Sequence, residues 1–385
     1  MSAPQDQDTR RAGARGLTRN NPAGLARSLR RAAAGAVCAA AVALPLAGAA
    51  TAQAATSAPH ALTTTWTSLT LQNGWAEYGS GTAAAAVTNI NGIVHLKGAI
   101  QTSGSNPVAF TLPAGDRPAT NVAVPVDLLS ATAGELNIAP SGQVSVAYEQ
   151  SWSDAQQFTS LDGASFATSG SSFTKLTLQN GWTSYGQGFA SPSARSVSGI
   201  VHLRGTIATG GTNNFPFTLP AGLRPDHLVY VPVTLSGSNY GRLEIYPSGV
   251  VQVYAEGATW SNAQHGVSLD GAWFATSASL YTPLALQNGW TSYWDGTDSP
   301  AVRKISGIVH LEGAMYNTAT LPNQLAFTLP VGFRPSHWVY TSVDMNNANR
   351  GHILIAPNGQ VTVFAEGNQS NAYSFTSLDG VSFAP

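Results

Sequence analysis

From about residue 64 onward the chain is filled by short runs in which apolar and polar residues alternate. In the clearest run, Val197, Gly199, Val201, Leu203, Gly205 and Ile207 fall on one face. Ser198, Ile200, His202, Arg204 and Thr206 fall on the other. A period of two is that of a β-strand with one face on a core. No later stretch sustains a helical period. Leu176-Thr177-Leu178 leads into Gln179-Asn180-Gly181-Trp182, where Asn-Gly predicts a tight turn. Leu243-Glu244-Ile245 and Val251-Gln252-Val253 flank Tyr246-Pro247-Ser248-Gly249, which predicts a hairpin: proline opens a type I turn and Gly249 takes the position of positive φ. Between these runs, the two prolines of Leu219-Pro220-Ala221-Gly222-Leu223-Arg224-Pro225 lack ladder donors, so the segment reads as a rigid connection.

Nearly the same words occur three times. Gly-Ile-Val-His-Leu places His95, His202 and His310 at intervals of 107 and 108 residues. The hairpin recurs at Ala139-Pro140-Ser141-Gly142 and Ala356-Pro357-Asn358-Gly359, and a closing Ser-Leu-Asp-Gly word carries Asp162, Asp270 and Asp379. A fixed period of this length defines the architecture before any other consideration. Three units, 64–168, 173–276 and 280–385, follow one another through short Ser/Thr linkers. Seven or eight short strands in about 105 residues predict an all-β chain of three tandem β-sandwich, jelly-roll-like domains. Linkers this short favour packing of the units about a pseudo-threefold axis, with the half-polar face of the three histidines as the contact.

The first 54 residues differ from the rest. Seven arginines stand beside only Asp6 and Asp8, an Ala/Val/Leu/Gly run follows Arg30-Arg31, and Ala52-Gln53-Ala54 offers a cleavage site. This order predicts a signal peptide over 1–54 and a secreted, extracellular protein. Without it, eleven basic and seventeen acidic residues remain, so neither nucleic acid nor, after cleavage, a membrane is an expected partner. Cys38, the single cysteine, lies in the same segment. The remainder has no disulfide or cysteine metal site to rely on and is stabilised by burial.

Leu-Gln-Asn-Gly-Trp-x-x-Tyr, Gly-Ile-Val-His-Leu, Phe-Thr-Leu-Pro-x-Gly-x-Arg-Pro, Pro-Ser-Gly-x-Val and Ser-Leu-Asp-Gly-x-x-Phe together resemble the C-terminal receptor-binding domains of bacteriophage tail fibres, here in three tandem copies. The resemblance implies a β-sandwich head, commonly trimeric, that recognises cell-surface glycans without catalytic apparatus.

Trp75 and Tyr78, Trp182 and Tyr185, and Trp290 and Tyr293 follow the Asn-Gly turn of each unit and are the candidate ligand-binding residues, since flat rings stack on sugars. The competing reading places the tryptophans in the core. Trp294, Asp295 and Asp298 distinguish the third unit, and His227, Trp260 and Trp273 the second. The three histidines lack further ligands nearby, so they read as structural or interfacial, and no metal or cofactor is expected. Glu149, Glu256 and Glu366, with the Asp of each closing word, offer two carboxylates per unit for glycoside hydrolysis. Against this, Asp-Gly is first of all a turn dipeptide, and three tandem copies favour avidity over catalysis. Arg117, Arg224 and Arg334 are expected to form salt bridges with Asp162, Asp270 and Asp379. The expectation is a non-enzymatic binder of cell-surface or extracellular glycan. The alternatives are a structural or assembly repeat without small ligand, and a polysaccharide-degrading enzyme.

Overall fold

A computed structural model describes residues 64–385; the predicted signal peptide, 1–54, lies outside the described residues. The chain is all-β: eleven strands per repeat, many of two or three residues, and in each a single short α-helix besides 3-10 turns. In the second repeat, Thr174–Lys175, Ser193–Val197, Ile200–Arg204 and Trp273–Ala275 form one antiparallel sheet in that order. The facing sheet has seven strands, in the order Trp182–Ser184, Thr206–Thr209, Val267–Ser268, Val229–Leu235, Asn239–Ile245, Val250–Ala255 and Phe217–Thr218. The third repeat matches this, whereas in the first the larger sheet separates into three- and four-stranded parts joined by the bridge between Leu128 and Thr159. Each sandwich closes on its own core; Val201, Leu203, Ile207 and Phe274 belong to the second.

The alternating run at 197–207 is not one strand. Ser198 and Gly199 have φ of 54° and 85°, a two-residue turn that pairs Val197 with Ile200 and Ala194 with Leu203. Ala194 and Leu203 therefore share the core face, while Val197 joins Ile200 on the opposite one. Gly205 then bends the chain from one sheet into the other at φ 99°, where a Cβ would stand 2.6 Å from the Ala190 carbonyl. The predicted turns at Asn180-Gly181 and Tyr246–Gly249 form as expected: Asn180 and Gly181 have φ of 56° and 82°, and Gly249 has φ 87°.

The Arg–Asp salt bridges do not form. Arg117, Arg224 and Arg334 lie across Gly142, Gly249 and Gly359 of the hairpin. Their Nε–H groups donate to the carbonyls of Leu112, Leu219 and Leu329 at 3.0, 2.9 and 2.8 Å. Each arginine thus staples the rigid connection to the hairpin of its own repeat. The closing-word aspartates instead accept from the corner glycines, Gly98, Gly205 and Gly313, at 3.0, 3.2 and 3.0 Å.

The three repeats close into a ring, with Val122–Asp127, Val229–Leu235 and Val339–Met345 packed pairwise around its centre. The closing word makes the joints: Ser160, Ser268 and Ser377 donate their hydroxyls to the main-chain carbonyls of Tyr340, Ala123 and Tyr230 in the neighbouring repeat, at 2.7, 2.7 and 2.8 Å. Ser-Leu-Asp-Gly therefore holds its own sheet corner through Asp and the neighbouring repeat through Ser, and Asp379 also accepts from the Tyr230 N–H of that neighbour at 3.3 Å.

Candidate functional site

The tryptophans of the predicted site are core residues. Trp75, Trp182 and Trp290 are 5, 3 and 4% exposed. Their indole N–H groups donate to the carbonyls of Asn106, Asn213 and Asn323 at 2.9, 2.8 and 2.7 Å. Their rings meet Trp152, Trp260 and Tyr373 edge to face. No face is left on which a sugar can stack. Trp260 is accordingly not peculiar to the second repeat, since Trp152 and Tyr373 occupy the matching place. Trp273 is buried with its ring 4.8 Å from that of His310, while Trp294 is 78% exposed.

His95, His202 and His310 converge at one end of the ring centre, around a small cavity lined also by Ile93, Ile200 and Ile308. Burial lowers His95 to about 4 and His310 to about 3; His202 falls well below its usual value, through burial and then through its two counterparts. All three imidazoles are neutral at physiological pH. Glu149, Glu256 and Glu366 come together from the three repeats around Arg350, which lies 3.6 Å from Glu366.

The tyrosines lead to the joints between repeats. Tyr78 packs on Phe158, which packs on Tyr340 of the third repeat, with both centroid separations at 4.8 Å. Tyr293, Phe375 and Tyr230 repeat the arrangement between third and second at 4.9 and 4.8 Å. Each phenylalanine immediately follows its repeat's short helix. Between the second and first repeats the sequence breaks the pattern: Gly266 follows the helix Trp260–His265, and Ala123 stands where the others carry tyrosine. Tyr185 is left facing a cleft of about 170 Å³. Phe189, at the place of Thr82 and Thr297, turns its ring against Tyr185 at 5.6 Å and lines the cleft without filling it.

The polar walls differ in the same way. Between second and third repeats Arg242 pairs with Asp344 at 3.1 Å, and between third and first His352 pairs with Asp127 at 3.0 Å. At the matching place in the cleft, Glu135 meets the hydroxyl of Thr234, which donates to Oε2 at 2.7 Å. Burial pushes the Glu135 carboxyl up, and this hydrogen bond opposes the shift. Thr206, also on the wall, has a buried hydroxyl with no hydrogen-bond partner among the described residues. His265 uses its Nδ1–H on the Ser261 carbonyl at 2.6 Å, leaving Nε2 as an acceptor at the mouth. The cleft thus offers two aromatic rings, a buried carboxylate without a counter-cation, and an unused hydroxyl.

A larger, shallower groove of about 350 Å³ lies by Tyr254, Trp260 and Asn347, but its Arg242 is already held by Asp344 and Glu244. No helix among the described residues is long and apolar enough to cross a membrane. No protein-family model, curated protein or solved structure matches the chain.

Proposed function

We propose that the protein is an extracellular, non-catalytic glycan-binding protein, in which one sugar ring seats in the cleft between the first and second repeats. The observation that carries this reading is the replacement of Phe and Tyr by Gly266 and Ala123 at one joint of three. An apolar cavity of roughly 150 Å³ accommodates benzene, so a cleft of about 170 Å³ has room for one six-membered ring. Tyr185 and Phe189 supply apolar faces for its C–H groups. Glu135 accepts from ring hydroxyls, and the Thr206 hydroxyl gains the partner it lacks. Glu135 is the sole carboxylate among the lining residues, whereas the usual hydrolytic arrangement uses two facing each other across the bond.

Of the six aromatic residues singled out in the sequence, Tyr185 is the one that carries this function. A glycan array on the exported chain identifies the ligand, and titration of Tyr185→Ala and Glu135→Gln locates it. Each substitution is expected to weaken binding about tenfold, equivalent to about 1.4 kcal/mol. An array without any bound glycan leaves the ring of repeats as an assembly unit, and binding unchanged in both variants moves the site elsewhere.

A further inference from the structure

The joint between the second and third repeats departs from the other two in a different way. The residue after the Gly-Ile-Val-His-Leu word is Lys97 in the first repeat, Arg204 in the second and Glu312 in the third. At two joints this cation stands near the buried closing-word Asp and the neighbouring repeat: Arg204 donates to Thr120 at 3.0 Å, and Lys97 lies close enough to Asp162 and His337 to shift both. At the third joint the sign is reversed. Glu312 is 1% exposed, and neither of its oxygens has a hydrogen-bond partner among the described residues. Its carboxylate feels Asp379, Asp298 and Asp226 as like charges, with Arg303 as the opposing one.

Facing it, His227 is 5% exposed and sets Nδ1 2.8 Å from Asp226 and 2.9 Å from Asp298. One ring nitrogen cannot donate a single proton fully to both. Its Nε2 is buried and also unpartnered among the described residues. Asp226, His227 and Asp298 bring ligand atoms within 4.8 Å of one another. His227 is not peculiar to the second repeat, since His337 takes its place in the third and Thr120 in the first, but the carboxylates around it are: Ala119 and Ser336 match Asp226, and Ala83 and Ala190 match Asp298. At this joint a carboxylate replaces the fixed cation, and two further carboxylates gather on the imidazole.

We infer that Asp226, His227 and Asp298, backed by Glu312, bind a divalent transition-metal cation that bridges the second and third repeats. A mixed nitrogen and carboxylate donor set suits Zn²⁺ or Mn²⁺, whereas Ca²⁺ prefers oxygen alone; Zn²⁺ is the ion to test. The full chain, stripped with a chelator, is dialysed against Zn²⁺, and bound metal and melting temperature are measured. The expected result is about one Zn²⁺ per chain and a melting temperature raised by several degrees. Asp298→Ala installs the residue that the other two repeats carry there, so the fold should accept it; this variant should lose both effects. Glu312→Lys restores the built-in cation and should make the melting temperature indifferent to chelator. Zinc retained by both variants, or no zinc bound by the parent chain, overturns the inference.

Discussion

Refilling the cleft tests the reading of the joint between the first and second repeats. Gly266→Phe and Ala123→Tyr install the rings present at the other two joints, and Phe189→Thr returns the residue found at Thr82 and Thr297. The backbone permits it. Gly266 has φ 171° and ψ 134°, an extended conformation open to any residue, and a Cβ there would meet Ser236 and Tyr185 at an ordinary 3.8 Å. The Ser268 hydrogen bond runs to the main chain of Ala123 and should survive, as its equivalents do at Tyr230 and Tyr340. A cavity of about 170 Å³, at roughly 24 cal/mol per Å³, sets a ceiling of about 4 kcal/mol. The cleft is open to water, so a smaller gain is expected: two new edge-to-face contacts at about 1 kcal/mol each, less the Tyr185–Phe189 contact that Phe189→Thr removes, a net of about 1 kcal/mol. About 1 kcal/mol should raise the melting temperature by about 2 °C. Glycan affinity, measured by calorimetry on the same variant, should fall below detection. A folded, more stable variant that binds as before would show that the ligand sits elsewhere. A variant that melts lower than the parent would refute the equivalence of the three joints.

Two further outcomes follow from the burial pattern. Trp182→Ala should cost about 3 to 5 kcal/mol of folding stability in a denaturant titration, with glycan affinity unchanged in the folded fraction; a surface role would give the reverse. His95 and His310 have folded values of about 4 and 3 against 6.5. Their lowered values contribute stability that is present above 6.5 and lost as pH falls toward 3, up to about 3 kcal/mol for His95. Carboxylates raised to about 7 act in the opposite sense, Asp270 between 3.8 and 7 and Glu256 between 4.5 and 7. The comparison to make is therefore between the parent and a variant with His95, His202 and His310 all changed to Gln. The variant should lose less stability than the parent between pH 6.5 and 3.5, and parallel profiles would contradict the burial argument.

Much of the fold was legible because each repeat states its own turns. Asn180-Gly181 and Pro247-Ser248-Gly249 mark reversals that depend on the local backbone alone, and the structure forms both. The hairpin at Ser198-Gly199 was hidden because a two-residue turn shifts which residues share a face. Val197, apolar but on the outer face, then completes a false alternation with Val201. The helices, such as Trp260–His265, make fewer than two turns, too few to show a period. Trp182 was ambiguous for a different reason: the same indole serves a sugar face or a core, and the choice depends on whether Trp260 and the Asn213 carbonyl close around it. The partner of Arg224 was misjudged because charge alone suggested Asp270. In the fold, the arginine meets a carbonyl five residues away and the aspartate meets a glycine N–H.

Neither candidate site is visible in any one repeat, and this follows from how a ring of repeats is built. What the three copies share is the joint itself: a serine hydroxyl on a neighbouring carbonyl and a carboxylate on a corner glycine. Those contacts rely on main-chain atoms on one side and tolerate changes in the side chains around them. The surrounding positions are therefore free to differ between copies. One joint pairs Arg242 with Asp344, another His352 with Asp127, and the third leaves Glu135 with a hydroxyl and an open cleft. A residue such as Gly266 carries no signal alone. Set in a column with Phe158 and Phe375, it marks a missing ring; Ala123 beside Tyr230 and Tyr340 marks another. Both absences fall at the same joint although the residues are far apart in sequence and in different repeats. Two unrelated losses of packing would each lower stability, whereas a paired loss that opens one space lined by Tyr185 and Glu135 has the form of a binding site.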